Sequence, residues 1–333
     1  MHYWNVWHER KSFSDYLKIK PRFVSEFGYE SFPSLESIKY FAQKKDFNFT
    51  SKLMEYHQRS PIGNSIILEN FSRYFRFPEG FNNMIYLSQV QQAIAIKTAI
   101  EYWRTLKPRC FGTIYWQLND IWTGPSWSSL EYSGKWKLLM YKVKEFYDDV
   151  FFSFFIKDDD INAFVCNDLN QSLEAELIIS YYKFDGSLIK QEEKILSKIS
   201  EDESKEIYKK EIQKENSTEY FIHGKLKIKT EKGLILYKEG TLFPELYKHC
   251  DLEDAKIEYE VNEKKDFFEI KIWTNYPAFF VSFDTEGIKG NFSDNMFTLL
   301  PNEPKIINFI PKEKISINDF KKALSLYDLR HTY

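Results

Sequence analysis

Two short stretches place carboxylates, amides and aromatic rings where an apolar run ends. In "RFVSEFGYESFP" Glu26 follows a short apolar run, and in "TIYWQLNDIWTGPSW" such a run ends at Trp116 and leads to Asn119 and Asp120. A carboxylate can act as a nucleophile or as an acid and base, while indole rings and amides suit the C–H faces and hydroxyls of a sugar. The pattern suggests chemistry on a carbohydrate. Position alone leaves open that Glu26 is an ordinary strand-end acid and that the indoles pack on one another.

The segments around these residues alternate between strand and helix patterns. "RFVSEF" predicts a short buried strand, and Ser34 is placed to cap the helix that follows it. Apolar residues at helical spacing predict a long amphipathic helix over 88–107, then a strand over 110–118 and a helix over 134–150. This order is typical of parallel βα units, whose strands carry functional residues at their carboxyl ends.

Two βα units cannot close a barrel or form a stable open sheet, because both edges would expose unpaired backbone groups. We therefore expect other polypeptide to pair with them, either upstream sequence or another chain. The N-terminal "HYWNVWHER" adds further rings, among them Trp4, that could line a site.

The pattern changes near residue 150 to a period of two, with Asp-Gly, Lys-Gly and Glu-Gly turn signals between strands. Such spacing predicts β-sandwiches. Pro244 lies in a stretch that breaks the strand pattern, so we place a boundary there. The predicted domains are 1–150 (βα units), 151–243 (first sandwich) and 244–333 (second sandwich).

Composition excludes several classes of function. The net charge is −3 over 333 residues, which gives no reason to expect nucleic acid or an anionic membrane as a partner. The three cysteines are far apart, the six histidines show no metal-ligand spacing, and no Gly-rich phosphate loop occurs. We expect no metal and no cofactor.

Four stretches resemble the C-terminal half of the β-mannosidases of glycoside hydrolase family 2. They read "RFVSEFGYESFPS", "YLSQVQQAIAIKTAIEYWR", "GTIYWQLNDIWTGPSWSSLEYSGKWKLLMY" and "GNFSDNMFTLLPNEPKIINFIPK". The resemblance implies the last two βα units of a TIM (β/α)8 barrel followed by two immunoglobulin-like β-sandwiches. It also implies hydrolysis of terminal non-reducing β-D-mannose with retention of configuration.

The same resemblance assigns roles to single residues. Glu26, in the family-like "VSEFG", becomes the nucleophile, and Trp116 matches the Trp that lines the mannose pocket. Asn119, Asp120 and Trp4 are further substrate-binding candidates. His57 and Arg59 lie in a family-like loop, "EYHQRSPIGN"; for these two a structural hydrogen bond or salt bridge is the alternative.

The family's acid/base is a Glu directly after an Asn, on the order of a hundred residues before the nucleophile, and retention places the two carboxyls about 5–5.5 Å apart. Here 25 residues precede Glu26, and the Asn-Glu pairs are Asn262-Glu263 and Asn302-Glu303, both within the predicted sandwiches. We therefore expect this chain to lack the acid/base and to be inactive or nearly so alone. The missing N-terminal half as a separate chain is a candidate partner, beside a β-mannoside or glycan substrate.

Three alternatives stay open. The specificity could be that of a β-galactosidase or β-glucuronidase in the same family. The chain could be a carbohydrate-binding or docking sandwich module, or one half of a split glycosidase. Lone thiols favour the cytoplasm, whereas the sequons at Asn48, Asn70, Asn216 and Asn291 would suit a lysosomal or secreted protein.

Overall fold

The computed structural model describes residues 1–192 and 194–333 and divides the chain into two compact units, each assembled from three separate segments. Unit 1 comprises Met1–Phe27, Ala95–Tyr115 and Val143–Asp251. Unit 2 comprises Gly28–Ile94, Trp116–Lys142 and Leu252–Tyr333. Each unit therefore combines part of the first 150 residues with one of the regions predicted to form a sandwich.

The helices predicted after Ser34, over 88–107 and over 134–150 are present with shifted ends, and the sequence pattern did not predict the other helices. Their bounds are α1 Asn5–His8, α2 Leu35–Ile38, α3 Lys52–His57, α4 Gly63–Tyr74, α5 Phe81–Arg104, α6 Leu138–Phe146 and α7 Ile317–Ala323. Short 3₁₀ turns occupy Phe13–Lys18, Lys44–Asp46, Tyr247–His249 and Arg330–Thr332. Ser34 caps α2 as predicted, because its hydroxyl accepts a hydrogen bond from the Ser37 N–H. The long helix predicted over 88–107 is confirmed, although it begins earlier.

Strands β1 (Val24–Gly28) and β2 (Thr113–Trp116) form a two-stranded sheet. Between them the Val24 N–H donates to the Gly112 carbonyl at 3.0 Å. The other edge of β1 is covered by the first residues of this chain, since the Ser25 N–H donates to the Met1 carbonyl at 2.9 Å and the Tyr3 N–H to the Glu26 carbonyl at 2.8 Å. The expectation that both edges of the pair lack partners within this chain is therefore wrong for β1.

In unit 1, two antiparallel sheets follow α6. One pairs β3 (Val150–Lys157), β4 (Asp160–Asn167) and β8 (Ser204–Glu211). The other has the order β10-β9-β5-β6, with β7 also on β5: β5 Leu173–Lys183, β6 Leu188–Gln191, β7 Ile195–Ile199, β9 Tyr220–Thr230 and β10 Ile235–Leu242. Apolar side chains of both sheets, such as Phe152, Val165, Leu177 and Ile228, share one buried cluster. The period-two pattern therefore predicted this sandwich correctly.

Unit 2 contains the second pair of sheets. One has the order β11-β12-β16-β14 (Ile257–Glu263, Phe268–Thr274, Lys305–Pro311, Gly290–Phe292) and the other β15-β13-β17 (Phe297–Leu299, Ala278–Thr285, Leu324–Tyr327). Their shared core is rich in stacked rings, among them Phe268, Phe309 and Phe320 with centroids 4.5–4.8 Å apart. Within the described residues, no helix has the length and apolar character needed to cross a bilayer.

Candidate active-site residues

Glu26 lies in β1 of unit 1, beside the N-terminal segment of the chain. His2 and Glu26 face each other across a short parallel bridge. The His2 Nδ1 atom lies 2.5 Å from Glu26 Oε2, and the Trp4 indole N–H donates to the same oxygen at 3.3 Å. About a quarter of the Glu26 side chain stays exposed. The fold therefore gives this carboxylate two polar neighbours on one oxygen and leaves it accessible.

A packed anchor holds the N-terminal segment in place. The Tyr3 hydroxyl donates to the Asp15 carboxylate at 2.6 Å, and its ring meets those of Tyr16 and Trp103. Burial, with the Asp15 carboxylate second, raises the pKa of Tyr3 far above its ordinary value. Tyr3 stays protonated and keeps donating at any physiological pH, so the residues on either side of it, His2 and Trp4, are held beside β1.

Trp116, Asn119 and Asp120 belong to unit 2, in and just beyond the end of β2. Trp116 is 44% exposed, which leaves much of its indole accessible. The loop after it is tied down by main-chain bonds, because the Gln117 N–H donates to Trp127 O at 3.1 Å and its carbonyl accepts from Ser129 N at 3.0 Å. The Trp116–Gln117 peptide is cis.

Asp120 is almost fully buried, and its carboxylate is engaged within the protein. Oδ2 accepts hydrogen bonds from the Ser126 and Ser128 hydroxyls at 2.7 and 2.5 Å, and Gln117 Nε2 lies 3.4 Å from Oδ1. The Asn119 amide is turned to the Asp120 carbonyl at 3.4 Å. These bonds show Asp120 holding its own loop; contact between either residue and a sugar stays a prediction.

His57 and Arg59 join their loop to the one that carries Trp122. The His57 ring stacks on Phe41 at 3.8 Å, and its Nδ1 lies 2.7 Å from the Thr123 carbonyl. The Trp122 indole donates to the His57 carbonyl at 3.0 Å, and the Arg59 guanidinium lies 5.8 Å from the Trp122 ring centroid. For His57 these contacts correspond to the structural alternative, a hydrogen bond, whereas the Arg59 contact is with an aromatic ring.

Four buried ionisable residues of unit 2, Glu30, Asp120, Glu131 and Lys137, form what we term the buried charge cluster. Burial raises the pKa of Glu30 well above its ordinary value, and it lowers the pKa of Lys137. Burial also raises the pKa of Glu131, although its carboxylate accepts hydrogen bonds from Ser34 and Ser37.

The sequence analysis did not single out three residues that the structure places beside the candidate site residues or in the buried charge cluster: His2, Glu30 and Lys137. His2 had no signal beyond lying in a ring-rich segment. Glu30 is four residues after Glu26, on the same side of an extended chain, but nothing local marks it as buried. Lys137 stands in a lysine-rich segment, where a buried lysine and a surface lysine look alike. Among the described residues, no cluster of His, Cys, Asp and Glu has the makings of a metal site.

Of the predicted site residues, the fold brings Glu26 and Trp4 together in unit 1, and Trp116, Asn119 and Asp120 together in unit 2.

Family models match both sandwich regions of the chain. Residues 159–249 match a Mannosidase Ig/CBM-like domain, and residues 252–332 match an Ig-fold domain of the mannosidase group. These matches, together with the sheets described above, define the class: a chain with two immunoglobulin-like domains of the mannosidase type.

Whole-chain similarity is more particular. A beta-mannosidase of Bos taurus is 28% identical over 94% of this chain, and beta-mannosidase A of Aspergillus terreus is 26% identical over 88%. A solved β-D-mannosidase from Dictyoglomus thermophilum covers 98% of the chain at 27% identity with a TM-score of 0.88. An exo-chitosanase of Amycolatopsis orientalis, at 14% identity over 92% of the chain and a TM-score of 0.67, shares the fold.

The chain spans 38% of the length of the bovine enzyme, 35% of the fungal one and 40% of the Dictyoglomus protein. The predicted resemblance is thus confirmed: the chain corresponds to the C-terminal portion of the family-2 β-mannosidases.

Proposed function

We propose that this chain carries the nucleophile-bearing portion of a retaining exo-β-mannosidase, with Glu26 as the nucleophile. The observation that supports this most directly is the setting of Glu26, an accessible carboxylate with His2 and Trp4 on one oxygen, in a chain whose relatives are named beta-mannosidases over 94% of its length. Residues 1–150 then supply the last two βα units of a TIM barrel, and 151–243 and 244–333 the two sandwiches.

The reaction takes two steps. Glu26 attacks the anomeric carbon, the bond to the leaving oxygen breaks, and an acid protonates that oxygen. Water, deprotonated by the same group, then attacks the glycosyl-enzyme ester and frees the Glu26 carboxylate. His2 and Trp4 both meet Oε2, so we assign Oε1 as the attacking atom. The two contacts orient the carboxylate and lower its freedom to rotate.

Trp116 contributes an exposed indole as a stacking surface for the mannose ring. Asn119 and Asp120 follow it in the same loop and are the amide and carboxylate candidates for the sugar hydroxyls. The acid/base, by the family pattern, is a Glu after an Asn, and we place it on polypeptide outside these 333 residues. Asn262-Glu263 and Asn302-Glu303 belong to the second sandwich region.

A covalent trap tests the nucleophile. The chain is assembled with the polypeptide proposed to carry the acid/base and treated with an activated 2-deoxy-2-fluoro-β-mannoside, which slows release of the ester. We expect a glycosyl adduct on the peptide that contains Glu26. In the same assembly, Glu26→Gln should lower hydrolysis of nitrophenyl β-mannoside by roughly a thousandfold or more, since the covalent step is lost.

Glu55→Gln is the matched control, because Glu55 is an exposed glutamate on α3. It should leave the rate unchanged. An adduct on another residue, or a Glu26→Gln assembly as fast as the control, would remove the assignment.

Specificity is tested separately with nitrophenyl β-galactoside and β-glucuronide on the same assembly. Faster turnover of either one than of the mannoside would replace the proposed substrate and keep the nucleophile.

A further inference from the structure

Lys137 is the cation of the buried charge cluster, and its surroundings are unusual for a lysine. Its side chain has no exposed surface. Its Nζ lies 3.3 Å from the Ser31 carbonyl and 3.3 Å from the Ser126 carbonyl. Removing an ammonium from water is costly, so a lysine at this position calls for an explanation beyond packing.

The two carbonyls that Lys137 meets belong to one main-chain pair. Ser31 N donates to Ser126 O at 3.0 Å, and Ser126 N donates to Ser31 O at 3.1 Å. Lys137 adds a second donor to each of these oxygens and so fastens the segment after β1 to the loop after β2.

The fastened loop is the one that begins with Trp116. Ser126 donates through its hydroxyl to Asp120, and the next residue, Trp127, accepts from the Gln117 N–H. Gln92 reinforces the same junction, since its Nε2 lies within hydrogen-bonding distance of Tyr29 O at 2.9 Å and Trp127 O at 3.1 Å. The path from Lys137 to Trp116 thus runs through side-chain and main-chain hydrogen bonds within unit 2.

Charge balance supports the assignment of the ammonium to Lys137. Three buried carboxyls surround it, and all three could not ionise beside one cation at acceptable cost. Glu30 is fully buried, and within the part of the chain that the structure describes neither of its oxygens meets a hydrogen-bond donor in bonding geometry. Asp120 and Glu131, by contrast, accept several hydrogen bonds each. The hydrogen bonds that stabilise carboxylate oxygens in the cluster are therefore those of Asp120 and Glu131.

We propose that Lys137 is a positioning residue, whose buried ammonium holds the Trp116 loop in the geometry in which its indole receives the sugar. The proposal rests on the sugar-binding role given to Trp116 above. It assigns no contact between Lys137 and substrate.

Fluorine NMR of the full 333-residue chain labelled with 5-fluorotryptophan tests this directly. The Trp116 resonance is assigned by its loss in Trp116→Phe, and the fully buried Trp103 of unit 1 serves as an internal reference. In Lys137→Met we expect the Trp116 resonance to shift by more than its linewidth, or to split, while that of Trp103 stays in place.

Lys142→Met is the matched control. Lys142 is also a largely buried lysine of unit 2, on α6, with Asp294 at 3.8 Å, and its loss should leave the Trp116 resonance unmoved. A folded Lys137→Met chain with an unchanged Trp116 resonance would overturn the proposal, as would an equal shift in Lys142→Met. Should Lys137→Met fail to fold, Lys137→Gln, which removes the positive charge and shortens the side chain, decides by the same criterion.

This measurement separates the two proposals, because it reports the position of the indole and not turnover. A displaced Trp116 in a protein that never hydrolyses mannosides would keep the positioning role and refute the proposed function.

Discussion

At the scale of single residues, two glutamates four positions apart differ in exposure and in partners because the fold places them in different surroundings. Glu26 is partly exposed and meets His2 and Trp4. Glu30 is fully buried, and among the described residues no donor meets either of its oxygens in bonding geometry. A nucleophile has to be charged and reachable, and Glu26 meets the second condition. Burial raises the pKa of Glu30 well above its ordinary value.

Near the C-terminus, His331 lies between two carboxylates, Asp328 and Asp254, and we term this arrangement the pH-dependent clamp. His331 Nδ1 lies 2.5 Å from Asp328 and Nε2 lies 3.0 Å from Asp254. The hydrogen bond with Asp328 raises the pKa of His331, partly opposed by burial, while the Asp254 charge adds to the rise and Arg330 lowers it. Since the folded pKa exceeds the unfolded one, the stabilisation is complete below about pH 6.5 and fades as pH rises through the folded pKa.

We therefore expect the melting temperature of the wild type to exceed that of His331→Asn near about pH 6, and the gap to shrink toward about pH 9. Calorimetry across that range measures it. In an Asp328→Asn background the same substitution should show a smaller pH-dependent gap. A gap that grows with pH would contradict the clamp.

At the scale of elements, the first residue of helix α4, Gly63, is packed closely against the side chains of Glu30 and Gln58. A Cβ on Gly63 would stand 2.3 Å from Glu30 Oε2 and 2.5 Å from the Gln58 side chain. Glu30 has no exposed surface through which to move away. The glycine here serves close approach between a helix and a buried carboxyl.

Gly63→Ala should accordingly destabilise the protein by roughly 1–3 kcal/mol, the usual cost of overpacking. Intrinsic helix propensity alone would favour alanine by up to about 1 kcal/mol, so the sign of the effect separates the two influences. Urea unfolding followed by tryptophan fluorescence measures it.

Glu30→Ala provides the control background for this substitution. With the carboxyl removed, Gly63→Ala should cost less, and the difference is the coupling between the two residues. If Gly63→Ala lowers the free energy of unfolding equally in both backgrounds, a contact other than that with Glu30 requires the glycine.

At the scale of the whole molecule, the chain covers about two fifths of the relatives it resembles (38% of the bovine enzyme). General acid assistance to the leaving group contributes roughly 10²–10⁴ in rate. We therefore expect the 333-residue chain alone to hydrolyse nitrophenyl β-mannoside at least about a hundredfold more slowly than the assembly with the polypeptide proposed to carry the acid/base.

Steady-state assays of the two preparations at equal molar concentration measure this difference. A variant of the added portion with its Asn-Glu changed to Asn-Gln should remove the gain. Full activity of the chain alone would show that both carboxyls lie within it and would end the assignment of the acid/base to other polypeptide.

Local sequence patterns were sufficient for the elements and for some of the site. Helix α5, the strands of both sandwiches and the Ser34 cap follow from periodicity and cap chemistry, because these depend on residues near one another in the chain. Glu26 and Trp116 stood out because each follows or ends an apolar run in the sequence. In the structure Trp116 does end its strand, whereas Glu26 lies within β1.

Tertiary structure decided what surrounds those residues. Three contacts join segments that are distant in sequence. His2 meets Glu26, and Glu30 lies buried against Gly63. Lys137 bridges Ser31 and Ser126. The charge and reactivity of an ionisable side chain depend on its burial and its partners. Residue type and spacing do not reveal these, so the chain's chemistry was set by the fold as much as by the motifs.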